Sequence, residues 1–455
     1  MSTVSIPAWA GPLDVAGLAL DAVHEAGAAT ERLLRAHGTD VQVTTYPALV
    51  EAAFSAIDRL RVDSRAAEPW APLSGFAAAR DGWLRLHGNY PHHAAAITAA
   101  LGARTPEELA AAVAGLPAEE AAARVLRAGG IAAVVRTAEE WGAHPHARAT
   151  AGDPWVTTRA AGAARDPRLR ARAPAATGER LPLAGRRVLD LTRVVAGPVA
   201  TQLLGCLGAD VLRLDPPSRP EQLDAFLAAG MGKRSALLDL RAHRDLLEEL
   251  LAGADVVVLG YRPGALADLG LDPAALAARH PHLVIGALSA WGEHGPWGDR
   301  AGFDSIVQAA TGISVRCARE DGRPGVLPVQ ALDHATGFRL AAGILDLLAD
   351  GRAGVARASL LGAARTLLST ATATATALAT GTTSSTGAGE GDAREAADGG
   401  ARSDGAAVGL APVVELGTPH GLVSTVPVPL LLDGVPLTGA IGGYGTAEPR
   451  WEERR

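Results

Sequence analysis

Cysteine is scarce in this 455-residue chain, which holds two, Cys206 and Cys317. Two thiols so far apart offer neither a disulfide framework nor the spacing of a metal site. Both lie in apolar stretches, so buried free thiols are expected. An excess of positive charge is also missing. The formal net charge is −7, which argues against a general nucleic-acid binder with a basic stripe and leaves room for a local basic pocket. No uninterrupted run of about 20 apolar residues occurs, so no membrane span is expected. The opening MSTVSIPAWAG has no basic region followed by an apolar core, so no signal peptide is expected. HExxH, GxSxG and P-loop patterns are missing too. The histidine pairs His92–His93 and His144–His146 lack carboxylates at metal-ligand spacing, so no metal site is expected. These absences fit a soluble chain in a reducing, cytoplasmic setting.

What is present is apolar bulk. Apolar residues make up 48% of the chain and charged ones 20%, enough for a large buried core. The length exceeds one ordinary core, so two or three domains are expected. Residues 1–70 read as a helical N-terminal segment, with LDVAGLALDAVHEAGAATERLLRAHG at helical spacing. Residues 71–150 read as a smaller α+β unit: DGWLRLHG alternates like a strand, and helices and the buried strand IAAVVR follow. Thr105 with Glu108 is a candidate helix cap, and TAEEW looks like a capped helix start. Residues 151–182, rich in Arg, Ala and Pro, read as a linker. From 183 to 369 strands alternate with helices (RRVLDLT, VATQLLGCLG, ADVLRLD, DLLEELLAGA, DVVVLG, PAALAARH, LVIGALSAWG). That order predicts βαβ units and a doubly wound parallel sheet, hence the α/β class. Residues 370–411 are low in complexity and are expected to be a disordered linker. Residues 412–455 end in strand-like sequence that could rejoin the large domain.

Four short segments could carry chemistry. The turn TRVVAGPVATQ joins a strand to a helix, where ligands gather at carboxyl strand ends and helix N-termini; a plain structural turn is the alternative. GKRS puts Lys233 and Arg234 at a strand entrance, where they could hold phosphate oxygens or form an exposed basic pair. GYRPG places Tyr261 and Arg262 after a strand, to clamp a nucleotide or to start a helix with Pro263 at its first position. VQALDHATG places Asp333 after an apolar, strand-like run and before a helix. That carboxylate could cap the helix or act as a nucleophile that splits acyl transfer into two easier steps. His334 ranks below it, because neighbours on a strand point to opposite faces.

Taken in order, DLTRVVAGPVATQLLGCLGADVLRLDPP, GKRSALLDL, GYRPGALADLGL and GEHGPWGDRAGFDSIVQAATG resemble the class III CoA-transferases, the group of formyl-CoA transferase, carnitine CoA-transferase and α-methylacyl-CoA racemase. The resemblance implies a Rossmann-like large domain that binds coenzyme A as part of its acyl-CoA substrate, with no permanently bound cofactor. It implies CoA transfer to a small carboxylic acid through an aspartyl intermediate at Asp333. It carries CoA contacts over to Val194, Ala196, Gly260, Tyr261, Arg262 and Leu269, a phosphate-side lysine to Lys233, and an aromatic beside CoA to Phe303. It also implies a homodimer. DGWLRLHGNYPHHAAAITAALG and VLRAGGIAAVVRTAEEWGAHPHARA look like the family's small domain, here ahead of the catalytic segment rather than behind it. The Asn of the family's NFRPG motif is Gly260, Pro216 replaces a basic residue of some members, the segment from Pro217 to Gly230 is short, and no GGGGQ-type loop is found. Two other functions stay open. A racemase would want a histidine where Phe303 stands, and a non-catalytic CoA-binding homologue would fit the altered N-terminus.

Overall fold

The computed structural model describes residues 6, 9–162, 169, 181–379 and 412–453. The elements that position the site are, in chain order, helices α1 (Val15–Ala36) and α2 (Pro47–Phe54), then strands β1 (Gly75–Ala79) and β2 (Gly82–Leu86). They continue with β3 (Ala132–Val134), β4 (Val156–Ala160), β5 (Arg187–Leu191), α3 (Ala196–Cys206), β6 (Asp210–Asp215), β7 (Lys233–Leu237), α4 (Arg244–Gly253) and β8 (Val256–Leu259). The last are β9 (Val284–Ser289), α5 (Asp304–Thr311), α6 (Ala331–Ala349), β10 (Gly354–Ser359) and α7 (Leu360–Ala379).

The large sheet runs in the order β7-β6-β5-β8-β9-β10-β4. Its first six strands are parallel, and β4 closes the edge antiparallel to β10. Strand β8 reads VVVL and is buried at all four positions. A continuous apolar run is what a parallel strand covered on both faces requires. Alternate residues split between two cores, because successive side chains point to opposite faces. Leu189, Leu191, Leu212, Val257 and Ile285 pack with α4 through Leu247, Leu250 and Leu251. Val188, Val256, Val258 and Val284 pack with α3 and α6. The chain is thus α/β and doubly wound, as its strand–helix alternation predicts.

Helix α6 is apolar almost all round, which suits a helix covered on every side. The sheet and α3 cover its inner face, and α1 lies along its outer face. Arg32 ties α1 to Asp346 of α6 at 2.7 Å. The N-terminal segment is therefore an outer layer of the large unit. Gly421–Thr425 pairs with Arg61–Val62, and Ile441 and Thr446 bridge to the β7 edge at Lys233 and Ala236.

The smaller unit is a β1-β2-β3 antiparallel sheet with its own core of Leu84, Leu86, Ile97, Leu109, Val113 and Val125. Thr137 caps a short helix with Glu140 in a reciprocal capping box, and the Thr105 hydroxyl accepts the Glu108 amide.

Two expectations need correction. The linker of 151–182 contains β4, because its VTTRA segment offers extended backbone to the open edge of β10. The rest of that stretch from 163 onward, Leu169 and the last two residues apart, lies outside the described residues. Of the low-complexity stretch 370–411, the first part continues α7 to Ala379, and 380–411 lies outside the described residues. Among the described residues no helix is long and apolar enough to cross a membrane.

Candidate functional site

Strand order reverses at β5: the chain moves outward through β6 and β7, then returns to place β8 on the other side. A crevice at the carboxyl ends of strands opens at such a switch point. It is bounded by the two turns that the motifs singled out, residues 192–195 after β5 and 260–264 after β8. The turns touch. Gly260 donates its N–H to the Leu191 carbonyl at 3.1 Å, and a Cβ at 260 would stand 3.0 Å from Thr192 Cβ. The Asn of the family motif therefore has no room here without a shift.

Val194 sits in the first turn with φ +70°, a left-handed conformation that is costly for a β-branched residue. Its N–H is held at 3.0 Å by Glu221. That carboxylate is itself fixed by Arg213 at 2.9 Å and by the Tyr90 hydroxyl, which donates to it from the smaller unit. Ala196 opens α3 and is buried. Tyr261 packs its ring against the α4 side of the sheet, and burial pushes its hydroxyl up to about 12. Arg262 is exposed and donates to the Asp299 carbonyl at 3.3 Å.

Asp333 lies in the first turn of α6. The preceding residues are not a strand, so the alternation argument for separating Asp333 from His334 does not hold; a helical step of about 100° separates them instead. One turn on, a Cβ at Gly337 would stand 2.4 Å from the Ala196 carbonyl oxygen. The missing side chain lets α6 cross close over the start of α3, and Asp333 lies one turn before that crossing.

The capping role open to Asp333 is taken by another residue. Asp304, at the start of α5, accepts the Asp333 N–H at 3.0 Å and is itself held by the Gln308 amide. Asp333 is 5% exposed, and no hydrogen bond from the described residues reaches its carboxylate. Burial first, and then the Asp304 charge, push the Asp333 carboxyl well above the usual range. Burial raises Asp304 to about 6 against the pull of Gln308 and the α6 amides. Asp304 was within a quoted motif but was not singled out. A helix-start Asp is ordinarily a local cap, and nothing local shows that it caps a helix 29 residues on.

His334 stacks on Phe54 of α2, with ring centroids 5.1 Å apart. Beside it opens a cavity of about 430 Å³ whose walls come from α2, the first turn, α6, His87 of the smaller unit and the 426–429 segment. Val194, Gln330 and His334 line it, so the cavity and the start of α6 adjoin.

Three sequence candidates are placed elsewhere. Lys233 is neither an exposed cation nor open to a ligand. Its ammonium, with no exposed side-chain surface, pairs with Asp190 at 3.3 Å and donates to the Pro198 carbonyl at 2.7 Å; burial lowers it to about 8. A phosphate could reach it only by displacing Asp190. Leu269 is buried in the α4-side core. Phe303 precedes α5, and its ring is covered by His87 of the smaller unit, stacked at 3.9 Å.

Part of the chain is similar to known proteins. Residues 183–399 match the model of CoA-transferase family III. That segment is similar to the class III CoA-transferases and makes up less than half of the chain. It contains both turns, Asp304 and Asp333, whereas α1, α2 and the smaller unit lie outside it. Probable fatty acyl-CoA transferase Rv3272 of Mycobacterium tuberculosis is 39% identical over 183 residues, 37% of this chain and 46% of that protein. Succinyl-CoA:glutarate CoA-transferase of Mus musculus is 36% identical over 171 residues, 34% and 39% respectively. Formyl-CoA:oxalate CoA-transferase of Streptomyces avermitilis is 35% identical over 179 residues, 36% and 44%. The chain spans less than half the length of each of these relatives.

Proposed function

We propose that this chain transfers coenzyme A from an acyl-CoA to a carboxylic acid, with Asp333 as the covalent nucleophile. The observation that carries the reading is a buried carboxylate without a hydrogen-bond donor, beside the switch-point crevice, whose capping duty Asp304 has assumed. A carboxylate left bare of donors is a stronger nucleophile than a solvated one. Its ionised form gains from the N-terminus of the 19-residue α6.

The reaction runs through acyl exchange at one oxygen. An Asp333 oxygen attacks the thioester carbonyl, the carbon–sulfur bond breaks, and a mixed anhydride and CoA thiolate result. The thiolate attacks the Asp333 carbonyl carbon, which releases the donor's carboxylate and leaves an aspartyl-CoA thioester. The acceptor carboxylate attacks that carbonyl and expels the thiolate, giving a second anhydride. Attack of the thiolate on the acceptor's acyl carbon forms the new acyl-CoA and regenerates Asp333. First-turn amides of α3 have no intrahelical acceptor and suit the oxyanions of these steps. CoA would lie across the turns at Val194, Ala196, Gly260, Tyr261 and Arg262. Leu269 would act from behind, by packing, and Phe303 beneath His87. Lys233 would support the first turn through Pro198. A homodimer and a cytoplasmic setting belong to the same reading.

Intact-mass measurement after mixing with acyl-CoA tests it. An adduct on Asp333 that hydroxylamine removes is expected, and Asp333→Ala should lose the adduct and at least about 1,000-fold in transfer rate. Full activity in the alanine variant would sink the assignment.

A further inference from the structure

The cavity beside His334 differs in character from the crevice that the family motifs build. Ala53, Ala56, Val199, Phe338, Val426 and Val428 line it, all buried. Four of these six come from α2, the turn after it and the 426–429 segment, outside the residues matched by the transferase family. Its charged groups lie toward the rim and are unfavourable to an anion. Arg65, the single guanidinium among the described residues lining it, is held by Asp224 through two bonds of 3.0 and 2.7 Å. Asp224 and the exposed Glu68 add two negative charges there. Inside, His87 and His334 are the basic groups. Burial lowers His87 to about 3 and His334 to about 4, so both are neutral at physiological pH. The lining amides are largely occupied: Gln222 donates to the Asn89 carbonyl at 2.7 Å, and the Asn89 side chain bonds Ala71, Ser74 and Pro69.

A second carboxylate entering this cavity would be buried without a counter-ion, which costs several kcal/mol. An aliphatic tail would exchange water for apolar side chains at a gain for each methylene. We infer that the cavity takes the acyl group of an uncharged, aliphatic monocarboxylic substrate and discriminates against dicarboxylic acyl groups. This inference rests on the CoA-transfer reading for the role of Asp333, but the cavity's selectivity can be measured apart from it.

The full chain would be titrated calorimetrically with octanoate, glutarate and pantetheine, and assayed with octanoyl-CoA and glutaryl-CoA. Octanoate should bind without CoA. Octanoyl-CoA should exceed glutaryl-CoA in kcat/KM by about 100-fold or more. Ala53→Phe, which fills the cavity, should weaken octanoate at least about 10-fold. Ile57→Arg, which adds a cation at the cavity wall, should narrow the preference for octanoyl over glutaryl and guards against an overpacked first variant. Equal or better use of glutaryl-CoA by the unaltered chain would overturn the inference. So would binding of pantetheine but not octanoate, which would assign the cavity to the thiol arm. If octanoate binds and Ala53→Phe blocks it while no acyl-CoA is turned over, the cavity assignment stands and the Asp333 mechanism falls.

Discussion

Asp190 and Asp333 are both buried carboxylates of the large unit, one on β5 and one in the first turn of α6, and their surroundings are opposite. Asp190 is fully enclosed and has four partners: the Lys233 ammonium at 3.3 Å, the Thr201 hydroxyl at 2.6 Å, and the Thr192 N–H and hydroxyl. Burial opposes its ionisation, but Lys233, Arg213 and the two threonines outweigh burial and hold its carboxyl below the usual range. Asp333 has burial without such partners, and the charge that acts on it is that of another carboxylate, Asp304. A buried charge with its donors in place is part of the frame. One without them costs stability that only function justifies.

The contrast can be broken or sharpened at several points. Beyond the activity loss of Asp333→Ala, the largest expected stability effect belongs to Asp190. Asp190→Ala strands Lys233 in the core and should cost about 3–5 kcal/mol in urea unfolding; a loss under about 1 kcal/mol would show that the pair is not part of the frame. Next is Asp333→Asn, which removes the buried negative charge and should raise stability by about 0.5–2 kcal/mol while transfer is lost.

The pH dependence of the two sites has opposite sign. Asp190, held low, contributes stability that is present above the ordinary carboxylate value of about 4 and is lost as pH falls through its folded value. Asp304 and Asp333, held high, bind protons more tightly in the folded state, so their contribution is complete below about 4 and declines as pH rises. The melting-temperature gap between Asp333→Asn and the unaltered chain should therefore widen from about pH 4 through about 6, the value of Asp304. A gap independent of pH would count against the pair. Transfer, which needs the ionised carboxylate, should fall as pH is lowered through the raised folded value of Asp333. Arg85, which draws Asp304 toward ionisation, is the cation whose removal should move that midpoint upward. The smallest effect serves as a control: Thr137→Ala breaks a capping box distant from both carboxylates and should cost about 1 kcal/mol with no change in pH profile.

Much of this was legible in the chain. The short apolar runs RRVLDLT and DVVVLG, set in an alternation of strands and helices, read as covered parallel strands, and the glycine-bearing turns after them marked the crevice. Capping at Thr105 and Thr137 was readable because each pattern is closed within four residues. Gly260 and Gly337 were visible as glycines, but their necessity was not: each makes room for backbone or side-chain atoms distant in sequence. Lys233 looked like a ligand because Arg234 stands beside it at a strand entrance, and the β5 carboxylate that claims it lies 43 residues away.

The sequence by itself determined the α/β class, the order of the transferase motifs and the candidacy of Asp333, since periodicity and motif spacing are local properties. Only the tertiary structure decided which carboxylate caps α6, which cation is spent inside the core, and that α2 walls the cavity beside His334. Burial and charge pairing depend on what the fold brings alongside a residue, and those partners lie tens to hundreds of residues away along the chain.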